Sequence, residues 1–261
     1  MDRAAQAAVP DYLDPKLPPG LRLVEAPLVV ATAENLRGYG ELVGDPKTHK
    51  VEIVRWPAQG WRPVDGDSGD EGGTTEGVFS AWWERGRLMG SNEAVGGHYL
   101  LGWSDPPEAG RPAAGAAAQE AGAQETPARA APSRVLLWHA NYHPDGGQLF
   151  FPLEKKPFVV PMALPGDDVK PEHFKTFWFD GSAGLYMHPN VWHEGVFPCG
   201  RAGRYFDRQG RVHARVSIDF AKECGALLEV PLALERGGGG EGEDFASEDN
   251  RASASKRLAK S

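Results

Sequence analysis

The chain has 261 residues, a formal net charge of −8, 41% apolar residues, and 33 glycines with 22 prolines. That apolar content can build a core, which excludes wholesale disorder. No apolar run approaches the roughly 18 residues of a membrane span, and an acidic balance without a basic block argues against nucleic-acid and anionic-membrane partners. Two cysteines, Cys199 and Cys224, cannot make a disulfide framework and suit a reducing compartment. The N-terminus carries acids and no apolar h-region, so a soluble cytoplasmic protein is expected, with an organelle left open.

In chain order, residues 1–20 read as a flexible, proline-rich arm. ATAENLRGYGELV supplies one or two helical turns, followed by short β-rich runs at VEIVRW, GVFSAWW and HYLLGW. Residues 105–133 contain no aromatic and no branched apolar residue, so they read as a disordered, low-complexity insertion, with an Ala-rich helix as the competing reading. Strands resume at RVLLWH, LFFPL and FVVPMAL. DDVKPEHFKTF holds a short helix, and TFWFD is another strand. In VHARVSIDF, Val212, Ala214, Val216, Ile218 and Phe220 alternate with His213, Arg215, Ser217 and Asp219, the period of a two-faced strand. Residues 236–261 read as a disordered tail. Segments 21–104 and 134–235 together have the size of one domain. The expectation is a mainly β fold, a single β-barrel or sandwich with short helices, spanning 21–235.

Four of the eight histidines fall in two clusters, His139 and His143 in WHANYHPDGGQLFFP, and His188 and His193 in GLYMHPNVWHEGVF. Gln148, Glu194, Asp180 and the polar face of His213, Arg215 and Asp219 lie around them. Histidines on separate strands suit one divalent metal ion, for which His143, His188 and His193 are the candidate ligands. Polar pocket or turn residues are the other reading. On a strand, His139 and His143 share a face but lie about 13 Å apart, and Pro144 rules out a helix there. One of the two therefore does not join the other on an ion, and His143, beside the PDGG turn and Gln148, is kept.

The string HPDGGQLFFP, from His143 to Pro152, resembles the His-Pro-x-Gly-x-Gln-x-Phe-x-Pro motif of the ureidoglycolate lyase family. GLYMHPNVWHEGVF is similar to that family's second motif at Gly184, His188, Asn190, Trp192 and His193, and VSIDF to its closing strand. Asn141 and Tyr142 stand where the family usually has Glu-Arg, and Met187 stands where a tyrosine commonly precedes the second motif's histidine, with Tyr186 one residue earlier.

The resemblance implies a cupin-like barrel, a homodimer, and cleavage of ureidoglycolate to glyoxylate and urea without an organic cofactor. A base must take the carbinol proton, an acid must protonate the departing ureido nitrogen, and a cation must hold the carboxylate. Histidine suits the proton transfers. The residues expected to carry them are His193 with His188 as its partner, His143, and Glu93 as a reserve base. Arg215 is the expected carboxylate clamp. Gln148 and Asn190 offer donor and acceptor to the urea amide, and Tyr186 and Trp192 are expected to bind substrate, Trp192 as a wall. The alternatives are another cupin-type metalloenzyme, a dioxygenase or isomerase, and a non-catalytic binding barrel.

Overall fold

The computed structural model describes residues 13–55, 57–58, 60–64, 72–107 and 131–234. The first part of the arm, most of the 105–133 insertion and the tail lie outside the described residues. In chain order the strands are β1 (Arg22–Glu25), β2 (Leu28–Val30), β3 (Gly40–Val43), β4 (Thr74–Glu84), β5 (Arg87–Asn92) and β6 (His98–Trp103). Then come β7 (Arg134–Leu137), β8 (His139–Tyr142), β9 (Gln148–Pro152), β10 (Phe158–Ala163), β11 (Lys175–Phe179) and β12 (Gly184–Met187). The last are β13 (Trp192–His193), β14 (Phe197–Pro198), β15 (Ala202–Gly210), β16 (Val216–Asp219) and β17 (Ala226–Pro231).

They form two sheets. The larger runs β1-β17-β7-β6-β5-β4-β15-β9-β12-β3, and the smaller runs β16-β8-β13-β10-β11-β2 with β14 beside β10. The end strands of each do not pair with one another, so the fold is an open β sandwich rather than a closed barrel, an arrangement compatible with a cupin-like fold. Strand β4, before the insertion, pairs along its length with β15, after it. The two halves of the chain thus share one sheet. Among the described residues no helix is long and apolar enough to cross a membrane.

Aromatic side chains fill the space between the sheets. Phe79, Phe150 and Tyr205 of the larger sheet meet Phe158, Phe177 and Phe179 of the smaller in one buried cluster. Phe158 stacks on Phe179 at 4.6 Å and meets Tyr205 edge-on at 5.3 Å. Each such side chain contributes about 1.5–3 kcal/mol by leaving water.

Several local readings are sharpened. RVLLWH is two strands, because the chain bends at the buried Trp138 and passes from the larger sheet (β7) to the smaller (β8). VEIVRW contributes one bridge, Ile53 to Gly146, and no strand. ATAENLRGYGELV makes hydrogen-bonded turns, Leu36 N–H to the Thr32 carbonyl and Gly40 N–H to the Leu36 carbonyl, before entering β3. The helix expected in 167–177 is one turn of 3-10 helix, Pro171–His173. The alternation of 212–220 holds in burial from Ala214 to Phe220, but His213 has φ 52. That left-handed residue stops the strand at its N-terminal side. At the other end Asp219 accepts from the Lys222 N–H and caps a short helix, Phe220–Cys224.

Candidate active site

The period of β8 places the site. Ala140 and Tyr142 pack in the core cluster, while His139, Asn141 and, one residue past the strand, His143 line a cavity of about 300 Å³ between the sheets. Register then brings in the neighbours. Asn141 pairs with His193 of β13 on one side and with Ser217 of β16 on the other. The His193 ring therefore comes to lie 5.2 Å from the His143 ring, and the His213 ring, turned inward by its left-handed backbone, lies 4.3 Å from it. The larger sheet contributes Gln148 at the start of β9, and the hairpin between β5 and β6 closes the rim with Gly96 and Gly97. Those glycines adopt φ 71 and 134, which a side chain at either position would resist.

Burial and neighbouring charges shift these imidazoles in different directions. Burial alone would lower His139, but the Glu194 carboxylate, 2.7 Å from its Nδ1, more than offsets this and raises it. Glu194 is held below its ordinary range, since its partner His139 and the Gly195 N–H outweigh its own burial. His143 is held well below its ordinary value by burial and then by the neighbouring His213 and His193 rings. Its Nδ1 is 2.9 Å from the Ala214 carbonyl, which can only accept. The proton sits on Nδ1 and the Nε2 lone pair is available. Burial and then the Arg215 charge bring His213 down to about 4.

This lowering has a measurable sign. A histidine whose folded pKa is about 4, against about 6.5 unfolded, penalises the fold below pH 4, and the penalty disappears by pH 6.5. The stability of the wild type relative to His213→Asn is therefore expected to rise across that window, by at most about 1.4 kcal/mol per pH unit. Urea midpoints taken at intervals from pH 4 to 7.5 check it. A constant difference would show that His213 is not buried neutral.

Of the residues expected from sequence, His143, His193, Gln148 and Arg215 meet at the cavity. Five others lie elsewhere. His188 is half-buried, 3.7 Å from the Glu41 carboxylate and edge-on to Tyr186. Tyr186 packs with Val43 and Leu149, and its hydroxyl accepts from the Glu52 N–H. Trp192 alternates with His193, so its indole faces away, donating to the Gly166 carbonyl and meeting Tyr142 edge-on. Asn190 adopts φ 66 in the turn before β13, where asparagine is tolerated, and its N–H holds the His143 carbonyl. Glu93 is exposed and accepts from the Val78 N–H. With His188 turned toward Glu41, the three expected metal ligands do not converge. Among the described residues no group of three or more His, Cys, Asp or Glu side chains is arranged to hold a metal ion.

Among the cavity residues not chosen as site residues are His139, Glu194 and His213, whereas Asn92 and His98, which the sequence places within reach of the pocket, do line it. His139 carried a signal, since the i, i+2, i+4 spacing of His139, Asn141 and His143 marks one strand face. The requirement that both histidines reach a single ion set it aside. Glu194 was visible only as the neighbour of His193. Pairing it with His139, 55 positions away in the chain, needs the sheet register.

Residues 114–218 match the family model described as "Ureidoglycolate lyase". The chain is 41% identical over 54 residues to a ureidoglycolate lyase of Azotobacter vinelandii, covering 21% of this chain and 32% of that protein. It is 37% identical over 89 residues to one of Stutzerimonas stutzeri, covering 33% and 52%. It is 33% identical over 95 residues to one of Pseudomonas savastanoi pv. phaseolicola, covering 36% and 55%. The chain thus spans between a third and just over half the length of these curated relatives. The family resemblance carried by the two histidine motifs is borne out over this stretch.

Proposed function

We propose that this chain, whose residues 114–218 match the ureidoglycolate lyase family, cleaves ureidoglycolate to glyoxylate and urea in the cavity between its sheets. The observation that carries the reading is the meeting, in one buried space, of the His143 imidazole, the His139–Glu194 pair and the Arg215 guanidinium. His143 Nε2 takes the proton from the carbinol oxygen. As the carbonyl of glyoxylate forms, the carbon–nitrogen bond breaks and its electron pair goes to the ureido nitrogen. The His139 imidazolium, kept charged by Glu194, supplies the proton that completes urea. One proton leaves the oxygen and one reaches the nitrogen, so charge is conserved, and solvent returns the proton from His143 to His139. His193, beside His143, faces the same reacting oxygen and stabilises the charge that develops there.

Arg215, at the cavity wall, takes the substrate carboxylate. Charged hydrogen bonds of this type are worth about 1.5–3 kcal/mol. Arg215→Ala is therefore expected to raise KM roughly 10-fold to 150-fold with a smaller change in kcat. Arg215→Lys keeps the charge, loses the planar fork and falls between. Steady-state kinetics on ureidoglycolate distinguish this from a structural role, which would leave KM unchanged.

The test of the whole reading is simultaneous measurement of glyoxylate and urea from ureidoglycolate with the full chain. Equal release of both supports it. No release of either at millimolar substrate would overturn it.

A further inference from the structure

The mechanism gives no role to Asp207, the most deeply buried carboxylate among the described residues. Asp207 lies on β15 with no exposed surface. Its Oδ2 accepts from Asn92 Nδ2 at 2.7 Å and from Gln209 Nε2 at 2.8 Å. Its Oδ1 accepts from Gln148 Nε2 at 3.0 Å. The other end of the same amide, Gln148 Oε1, lies 3.1 Å from His193 Nε2. His193 Nδ1 lies 2.8 Å from the Val191 carbonyl.

Donor and acceptor rules constrain this chain tightly. A backbone carbonyl only accepts, so His193 Nδ1 carries a hydrogen. With Gln148 Oε1 facing it, Nε2 must carry one too, since two lone pairs would otherwise oppose each other in a buried space. The amide can turn its NH₂ toward His193 only if Oε1 then faces Asp207 Oδ1, and that requires a proton on Oδ1. Two arrangements therefore satisfy every atom. In one, Asp207 is a carboxylate and His193 carries both hydrogens. In the other the amide is reversed, Asp207 carries the proton and His193 is neutral. The two hold the same number of protons and the same net charge.

We propose that Asp207 is a positioning residue that acts through Gln148 on His193, the three sharing one proton whose place is recorded by the orientation of the Gln148 amide. The arrangement with the proton on His193 is the active one, because it places an imidazolium charge beside the reacting oxygen while both ring N–H groups stay held by Gln148 and the Val191 carbonyl. Burial, partly offset by the three amides, brings Asp207 up to about 7, and burial lowers His193, so the two ends are shifted in opposite directions. His143, His213 and Glu194 face His193 within the cavity, and Tyr99 lies beside Asp207. The proposal rests on the ureidoglycolate reading of the cavity.

The experiment is ¹⁵N NMR of the histidine rings in the full chain, with kcat and KM for ureidoglycolate measured in parallel. In the wild type the His193 Nε2 resonance is expected between its protonated and unprotonated limits. Asp207→Asn is nearly isosteric, and its amide N–H₂ donates to Gln148 Oε1, so the reversed orientation is fixed. His193 Nε2 then moves to the unprotonated limit, and kcat falls roughly 10-fold to 100-fold with KM little changed. Gln148→Leu cuts the bridge. In that background Asp207→Asn is expected to leave the His193 resonances where they are. If Asp207→Asn does not fold, Gln148→Leu alone decides, because it must also remove the intermediate Nε2 resonance. An unchanged His193 spectrum in a folded variant overturns the proposal. A wild type that releases no urea but shows the shared-proton signature removes the ureidoglycolate reading and leaves the relay standing.

Discussion

His143→Ala is expected to lower kcat for ureidoglycolate cleavage by about 10² to 10⁴-fold, the range supplied by a positioned general base. The size follows from how completely the fold fixes this side chain. The Ala214 carbonyl holds Nδ1 as the donor, so Nε2 keeps its lone pair. Burial and the His213 and His193 rings keep the imidazole neutral. Removing it takes away the imidazole whose Nε2 the Ala214 carbonyl leaves free, and His193 cannot replace it, since its Nε2 is engaged by Gln148. Alanine also opens a hole of imidazole size, so partial recovery with added imidazole is expected while ethanol has no effect. Circular dichroism and a urea melt establish that the variant is folded. Turnover equal to the wild type in a folded His143→Ala protein would remove this residue from the chemistry.

Glu194→Gln is expected to have the largest effect on stability. The His139–Glu194 pair is buried on both sides, with side-chain exposures of 9% and 6%. Taking one charge from such a pair leaves the other buried and uncompensated, a loss of about 3–5 kcal/mol. For a domain of this size that lowers Tm by roughly 6–20 °C. The double variant, His139→Gln with Glu194→Gln, removes both charges and should recover part of the loss, which a cavity or packing defect would not do. The pair also has a pH signature with two edges. His139 is raised, so its contribution is complete below its unfolded value and is lost as pH rises through the folded one. Glu194 is lowered, so its contribution is complete above its unfolded value and is lost as pH falls through the folded one. Thermal melts of wild type and Glu194→Gln should differ most between those edges. Coincident melts at every pH would show that the pair contributes nothing.

The sequence carried the strands and the two motifs because both are local. Alternation marks β16, and the strings around His143 and His193 keep a recognisable order of residue types. What it could not carry is register. Trp192 and His193 are adjacent in the chain, yet a strand's period of two sends one to the Gly166 carbonyl and the other into the cavity. Asn190 belongs to the same string, and its contribution is a left-handed backbone that a motif reader takes for a substrate contact. His188 fits the spacing of a metal ligand but lies beside β3, so its neighbour is Glu41 rather than His143. The Glu194 partner of His139 and the three amides on Asp207 come from strands far apart in the chain. No local pattern announces them.

The open sandwich has a mechanical consequence. His139, His143 and His193 ride on the smaller sheet, while Gln148, Asp207 and Asn92 ride on the larger. Every hydrogen bond between the two sets is a tie across the gap, and the gap is held by aromatic packing such as Phe158 on Tyr205. The sandwich is thus a calliper whose jaws carry the reacting groups. A repacked core that spreads the jaws by a few tenths of an ångström lengthens the His193–Gln148 contact first. On the proposed function, turnover is then expected to be a finer gauge of core packing than the melting temperature.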